Sequence, residues 1–261
     1  MWQEERQQKI RHYLSAFGQV SIDKIVEDFD VSRETIRRDL LEMEKAGELR
    51  RVRGGAIAVE VKNSSFRIRH TQRLQEKRAI AATALKLIKS GQTIFIDAGS
   101  TCVVMAEAIA GANGLRDLTI ITNAVDVARK LSDPTGKPSP RFKVILLSGE
   151  FKQDPMETFG SSTIIEIYRY MADLAILTPW SIDAVRGASD YYSDAADIAR
   201  AMSQNAKQTI IIADYTKIGA NPQTKFCGIE KIDHLVTDSK ALSKPAFNAL
   251  QKAIKSTIIA Q

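Results

Sequence analysis

The chain has 261 residues, enough for two domains or one large one with an ample buried core. Its 44% hydrophobic and 26% charged residues match a globular protein, and no apolar run approaches the roughly 20 residues that span a bilayer. The start Met1-Trp2-Gln3-Glu4-Glu5 is acidic and unlike a secretory leader, so a cytoplasmic location and no membrane partner are expected. Cys102 and Cys227 are too few for a disulfide framework or a structural zinc site, and His12, His70 and His234 lack ligand spacing. No metal and no cofactor are expected. The net charge of +6 is uneven: residues 1–58 hold 11 basic and 11 acidic side chains, so that segment sums to zero, yet its arginines cluster.

Residues 4–17 read as a helix, with Ile10, Tyr13, Leu14 and Phe17 at helical spacing and Gly18 ending it. Ser21 is an N-cap for a second short helix whose apolar face is Ile22, Ile25, Val26 and Phe29. After a turn at Asp30-Val31, Ser32 caps a third helix that runs to about Ala46, with Gly47 as its stop. Ile36, Leu40 and Met43 form its apolar face, while Arg33, Thr35, Arg37 and Arg38 sit on the other. A short strand at 49–52, the turn Arg53-Gly54-Gly55 and a return strand at 56–59 complete a basic hairpin carrying Arg51 and Arg53. Helix, helix, tight turn, basic helix and hairpin in under 60 residues is the layout of a winged helix-turn-helix. In that layout the third helix enters a major groove and the hairpin touches the flanking backbone, so double-stranded DNA is the expected partner. Ile10, Leu14, Ile25, Phe29, Ile36 and Leu40 are its expected core.

The run Val31-Ser32-Arg33-Glu34-Thr35-Ile36-Arg37-Arg38-Asp39-Leu40, followed by Gly47, Leu49, Arg51, Gly54, Gly55 and Ala56, closely resembles the N-terminal signature of the DeoR/GlpR family of bacterial transcriptional regulators. Members commonly carry His before the two glycines; Arg53 stands there in this chain and keeps a donor.

Residues 60–75 show little apolar periodicity and carry Arg67, Arg69, His70 and Arg73. They read as a solvated linker, set at 59–76 between a DNA-binding domain at 1–58 and a second domain at 77–261. From there helix and strand alternate. A helix at 77–88 precedes a strand at 93–96, Asp97-Ala98-Gly99-Ser100-Thr101 opens a helix through Ile109, and a strand at 118–122 leads to a helix ending at Leu131. A loop at 134–140 precedes a strand at 142–147, and further strands are expected at 174–177, 209–213, 234–237 and 257–260. That alternation predicts a parallel α/β domain with its ligand site at the carboxyl ends of the strands. Three strand ends fit. Gly99, Ser100 and Thr101 offer amides and hydroxyls at a helix start, where the helix dipole favours an anion. Thr122-Asn123 ends the next strand, and Asp214-Tyr215-Thr216-Lys217 supplies a cation from another. The competing reading is simple helix capping.

The resemblance extends over nearly the whole chain. The second domain is similar to the DeoR sensor domain, which implies a fold related to ribose-5-phosphate isomerase and a phosphorylated sugar or similar metabolite as effector. Asp97-x-Gly99-Ser100-Thr101 matches the family's Asp-x-Gly-Thr-Thr loop with Ser for the first Thr, and Thr122-Asn123, Gly149, Gly160 and residues 214–219 also match. The implied effector-binding set is Asp97, Gly99, Ser100, Thr101, Thr122, Asn123, Gly149 and Lys217; the implied DNA-binding set is Ser32, Arg33, Thr35, Arg37, Arg38, Arg51 and Arg53. Two segments depart. Thr178-Pro179-Trp180-Ser181 replaces Gly-Ala-Asp-Gly, and Ala195-Ala196-Asp197-Ile198-Ala199-Arg200 replaces Glu-Ala-x-Val-Lys-Arg. Trp180 is either a stacking platform or a core residue, with core favoured.

The expected function is a DNA-binding regulator, a repressor of a carbohydrate catabolic operon, whose operator affinity follows a phosphorylated effector. Two alternatives stay open here. One is a phosphosugar isomerase-like enzyme with an attached DNA-binding module, for which Asp97 and Asp183 are the candidate bases. The other is a regulator whose sensor domain only oligomerises. Paired half-sites make a homo-oligomer, dimer or tetramer, the expected assembly.

Overall fold

The structure, a computed structural model, describes residues 2–17, 19–46, 48–52, 54–58, 66–132, 141–153, 155–219 and 224–261. The chain divides into two compact units, Met1–Ser64 and Ser65–Gln261.

In the first unit, α1 (Gln3–Phe17), β1 (Gln19–Ser21), α2 (Ile22–Phe29) and α3 (Arg33–Lys45) precede the hairpin of β2 (Leu49–Val52) and β3 (Gly55–Ala58). Ser21 and Ser32 both cap as their sequence positions predict: Ser21 Oγ accepts from Lys24 N and Ser32 Oγ from Thr35 N, each at 3.2 Å. Asp30 ends α2 in the left-handed region, at φ 51°, and so turns the chain into α3. Ile10, Leu14, Ile25, Phe29, Ile36, Leu40 and Met43 are all buried together. One strand escapes the sequence reading. β1 pairs antiparallel with β3, matching Ser21 to Gly55. This explains the second glycine of the hairpin: a Cβ on Gly55 would lie 2.1 Å from the Val20 carbonyl oxygen. Its neighbour Gly54 makes the turn itself at φ +87°.

The second unit opens with α4 (Phe66–Thr71) and α5 (Leu74–Leu85), so the stretch read as a linker is helical from Phe66 onward; residues 59–65 lie outside the described ones. The sequence reading finds α5, as a helix at 77–88, but misses α4 and the first turn of α5, for a physical reason. The residues recurring every four positions there, Arg69, Arg73 and Lys77, are polar, and they face a site rather than a core.

After α5 come β4 (Thr93–Ile96), α6 (Ser100–Gly111), β5 (Leu118–Thr122), α7 (Val125–Ser132) and β6 (Phe142–Leu146). A hairpin of β7 (Glu150–Lys152) and β8 (Glu157–Phe159) leads into α8 (Ser161–Ile167) and β9 (Ala172–Leu177). Then follow β10 (Ser181–Asp183), β11 (Gly187–Asp190), α9 (Ser193–Gln204), β12 (Ala206–Ile212), β13 (Thr224–Cys227), β14 (His234–Asp238), α10 (Phe247–Ala253) and β15 (Thr257–Ala260).

Seven strands form one parallel sheet in the order β15-β14-β12-β9-β4-β5-β6. Each central strand is buried on both faces, which is why its sequence is an apolar run and not an alternation. Ile94 and Ile96 pack with α5, α6 and α7 on one face; Phe95 packs toward α8, α9 and α10 on the other. β10, β11 and β13 make a small antiparallel sheet that sequence reading does not anticipate. The chain builds outward from β4 through β5 to β6, and then from β9 through β12 to β15. The strand order therefore reverses between β4 and β9, and the crevice at their carboxyl ends is the position where α/β sheets bind ligands.

Candidate functional site

The first unit presents a cationic surface. Arg33, Arg37 and Arg38 project exposed from α3, and Arg50 and Arg51 are exposed on β2 beside buried Leu49. Arg33 is paired with Asp23, and Arg37 lies 3.9 Å from Glu34, whereas Arg38 forms no salt bridge among the described residues. Ser32 and Thr35 lock together through their hydroxyls at 2.8 Å, so they shape the start of α3. Arg53 lies outside the described residues. The face opposite the arginines is held by a group whose role sequence reading leaves unassigned. Asp39, fully buried, accepts from Arg6 Nε at 2.6 Å and Arg6 Nη2 at 3.1 Å, a two-pronged clamp that fixes α3 against α1.

The second unit holds its cations inside. At the switch point, Asp97 follows β4 and Thr178 follows β9. The Asp97 carboxylate accepts from the Ala98 amide at 2.8 Å and the Thr178 amide at 3.2 Å, closing the crevice floor. Burial pushes the Asp97 carboxyl well above its ordinary range. Gly99 must be glycine here, since a Cβ would meet Thr178 Oγ1 at 2.4 Å. Gly99 caps α6 in an extended conformation without a side-chain hydrogen bond, so the first amides of α6 receive no cap from it.

Lys77 reaches this helix start from α5. Its ammonium donates to Ser100 Oγ at 3.0 Å and also to the Arg69 carbonyl. The residue is 2% exposed, and burial pulls its pKa down to about 8. Lys217, half-buried after β12, is likewise lowered to about 8, chiefly by burial and against the pull of Asp214. Arg73 Nε lies 3.4 Å from Asp214 and has no hydrogen-bond partner among the described residues. Arg73 itself is in the left-handed region, at φ 52°, a strained state for a residue with a side chain. Burial opposes ionisation of Asp214, yet Arg73, Lys217 and Thr216 together hold its carboxyl below the usual range. Lys77 lies in the field of Arg69, Arg73 and Lys217 with Asp214 opposing, and Lys217 in that of Arg69 and Arg73 with Asp214 and Asp190 opposing. Four cations thus converge on two acids. Such a cluster is complementary to a small anion.

The expected effector residues have different fates. Ser100 and Lys217 lie in this cluster, and Thr101 is buried in the first turn of α6. Thr122 Oγ1 accepts from the Ala124 amide at 3.1 Å and so caps the turn after β5. Asn123 is 1% exposed; its Nδ2 donates to the Thr158 carbonyl at 3.0 Å, and its Oδ1 has no hydrogen-bond partner among the described residues. Gly149 is a packing glycine, because a Cβ would sit 2.1 Å from Thr163 Oγ1. Asp183 accepts from the amides of Val185 and Arg186 at 2.8 and 2.7 Å, which makes it a turn residue.

Two expectations are corrected. Arg69 and Arg73, expected as solvated linker residues, are part-buried members of the cation cluster, carried there by α4 and the turn into α5. Trp180 is not a core residue: it is half-buried, with Lys217 Nζ 4.1 Å and the Arg69 guanidinium 5.1 Å from its ring centroid. Lys77 was readable. It shares the face of α5 with buried Ile80, Ala81 and Ala84, where a lysine needs a partner. Glu157 and Asp190 are further buried acids near the crevice, pushed up to about 7 and about 6 by burial.

A winged helix-turn-helix with an arginine face, joined in one chain to a parallel α/β domain with a buried cationic crevice, defines a ligand-responsive DNA-binding regulator. The chain belongs to the DeoR family: the family described as DeoR-like helix-turn-helix domain matches residues 6–62, and the DeoR C terminal sensor domain matches residues 72–239. Similar proteins include the HTH-type transcriptional regulator GolR of Listeria innocua, 30% identical over 95% of both chains. The HTH-type transcriptional repressor GlcR of Bacillus subtilis is 32% identical over 91% of this chain and 89% of its own. The glycerol-3-phosphate regulon repressor of Escherichia coli is 30% identical over 92% of each. These relatives are regulators, and the protein is a transcriptional regulator rather than an enzyme. A solved ribose-5-phosphate isomerase from Plasmodium falciparum aligns at TM-score 0.38 and 19% identity, over 56% of this chain and about half (53%) of that one. No helix among the described residues is long and apolar enough to cross a membrane.

Proposed function

We propose that the protein represses a carbohydrate operon, and that a phosphorylated sugar or related metabolite sets its operator affinity. On this reading α3 enters the major groove with Arg33, Arg37 and Arg38, and the hairpin places Arg51 and Arg53 against phosphates. Ser32 and Thr35 set the angle at which α3 starts. The effector's phosphate lies between the first turn of α6 and the cations Lys77, Lys217 and Arg73. Asn123, with its acceptor oxygen, and the acids Asp190 and Glu157 take the hydroxyl end.

One observation carries the reading: Lys77 is buried against Ser100 at the start of α6, where Gly99 gives no side-chain cap, with Lys217 and Arg73 close enough for their charges to act on it. Burial of several cations costs free energy unless an anion answers them. The names of two relatives, the glycerol-3-phosphate regulon repressor and a lactose phosphotransferase system repressor of Staphylococcus epidermidis, fit a phosphorylated carbohydrate signal. A homo-oligomer, dimer or tetramer, assembled through the sensor unit would supply the paired half-sites that one winged helix lacks. The domain limits follow the same division, with DNA binding in residues 1–58 and effector binding after them.

The test is thermal unfolding of the full chain with a panel of sugar phosphates and their unphosphorylated parents. A ligand at 100 times its dissociation constant adds about 2.7 kcal/mol to the state that binds it. Stabilisation by one or more phosphorylated sugars, and not by the parents, is expected. Stabilisation by the parent sugars alone would contradict the phosphate site.

A further inference from the structure

We infer that Trp180 is an internal competitor for the effector's anion: its ring face holds Lys217, and an arriving phosphate must draw that ammonium away from the indole. The inference rests on the anion site proposed above and adds a gate to it.

Trp180 is anchored through its backbone and its ring edge, whereas Lys217 reaches it on a flexible stem. The Trp180 amide donates to the Ser189 carbonyl at 3.1 Å, and its ring meets Tyr191 edge-on with centroids 5.4 Å apart. Pro179 and Ser181, on either side, are buried. Lys217, in contrast, ends a flexible four-carbon stem and sits 4.1 Å from the ring centroid, well inside the range of a cation–π contact. Arg69 lies over the same ring at 5.1 Å.

Charge explains why an aromatic face is useful there. Lys217 senses Arg69 and Arg73 beside it, with Asp214 and Asp190 as the acids within range. Asp214 is already engaged with Arg73 and Thr216. The negative face of the indole supplies a weak further partner that cannot follow the cation away. A weak partner of this kind holds the ammonium yet yields to a dianion, whose charge-assisted hydrogen bonds are stronger. Trp180 therefore lowers anion affinity and, by the same contact, reports occupancy. If the ring were instead a platform for the effector's carbon skeleton, its removal would weaken binding of sugar phosphates and leave inorganic phosphate unaffected.

Calorimetry of inorganic phosphate binding to the full chain at pH 7 separates these outcomes. Trp180→Leu keeps apolar bulk without a π face and is expected to bind phosphate roughly twofold to thirtyfold tighter than wild type. Trp180→Phe, with a weaker face, should fall between. A second measurement avoids changing Trp180 at all. The chain has two tryptophans, and the other, Trp2, is 85% exposed in the DNA-binding unit. In Trp2→Phe protein, Trp180 emission should change on phosphate addition with the calorimetric midpoint, and adding Lys217→Ala should abolish the change. Unchanged or weaker phosphate binding in both Trp180 variants, or silent Trp180 emission at saturation, would overturn the gate while leaving the anion site standing. A wild type that takes up neither inorganic phosphate nor any sugar phosphate would overturn both.

Discussion

The two units handle positive charge in opposite ways. On α3 and β2 the arginines stand in solvent, and the buried ion pair behind them, Arg6 with Asp39, joins α3 to α1. In the sensor unit the cations are inside: Lys77 and Lys217 sit low in pKa, near 8, because burial penalises their charge. Exposed guanidiniums suit a long polyanion, whose binding gains from counterion release and whose register is set by many shallow contacts. Buried ammoniums suit one small anion that is itself stripped of water. The same residue classes thus serve two recognitions, distinguished by depth.

The comparison breaks most severely at the clamp beneath the arginine face. Asp39→Ala removes the carboxylate that pairs with the buried Arg6 guanidinium, an expected loss of about 3–5 kcal/mol. Chemical denaturation should show the DNA-binding unit unfolding early and operator binding lost with it. A loss below about 1 kcal/mol would show that α3 is held by its apolar face alone.

Next comes pH, which should act on the buried cations and spare the exposed ones. Above pH 8 the folded chain releases protons from Lys77 and Lys217, while the unfolded chain keeps them to 10.5. These lysines therefore add stability as pH rises across that window, because the unfolded state binds more protons. Glu157 and Asp190 act in reverse. Their folded values of about 7 and about 6 lie above 4.5 and 3.8, so their contribution declines as pH rises between. Anion binding needs the lysines charged. Sulfate, which does not titrate in this range, should bind roughly tenfold to hundredfold more weakly at pH 9 than at pH 7. Operator affinity without effector should stay flat across the same interval, since guanidinium groups keep their charge. A flat sulfate profile would contradict the buried-cation account.

Smaller effects are expected on the DNA side. Arg38→Ala or Arg37→Ala should cost about 1–3 kcal/mol and relax specificity at one base pair where the side chain reads a base edge. Where it meets phosphate only, the salt slope of binding should shrink by about one. Operator affinity untouched in both variants would remove α3 from recognition.

Much of this architecture was legible in the sequence, for identifiable reasons. Ser21 and Ser32 cap where small hydroxyl residues precede apolar periodicity, and the sheet strands at 93–96, 118–122 and 257–260 stand out as apolar runs between turns. What escaped was of three kinds. β1, β10, β11 and β13 are short and gain their order from distant partners, so no local pattern marks them. The helix at 66–71 and the first turn of α5 hide because Arg69, Arg73 and Lys77 replace apolar residues on the inward face. Trp180 was misplaced because an indole is apolar enough for a core and electron-rich enough to hold an ammonium, and its sequence neighbours do not distinguish the two. The closely packed glycines were legible as a motif, but only the 2.1 Å approach of Val20 to a Cβ on Gly55 explains one of them.

The central claim is that buried lysines of the sensor unit hold the effector's anion and that its binding changes operator affinity. The most direct measurement is a titration of the full-length protein–operator complex with phosphorylated sugars, run in parallel on wild type, Lys217→Ala and Lys77→Met. Loss of one charge-assisted contact of roughly 1.5–3 kcal/mol should raise the effective concentration about tenfold to hundredfold in each variant. Operator affinity in the absence of sugar should remain that of wild type. An unaltered midpoint in both variants, or operator binding already lost without sugar, would contradict the account.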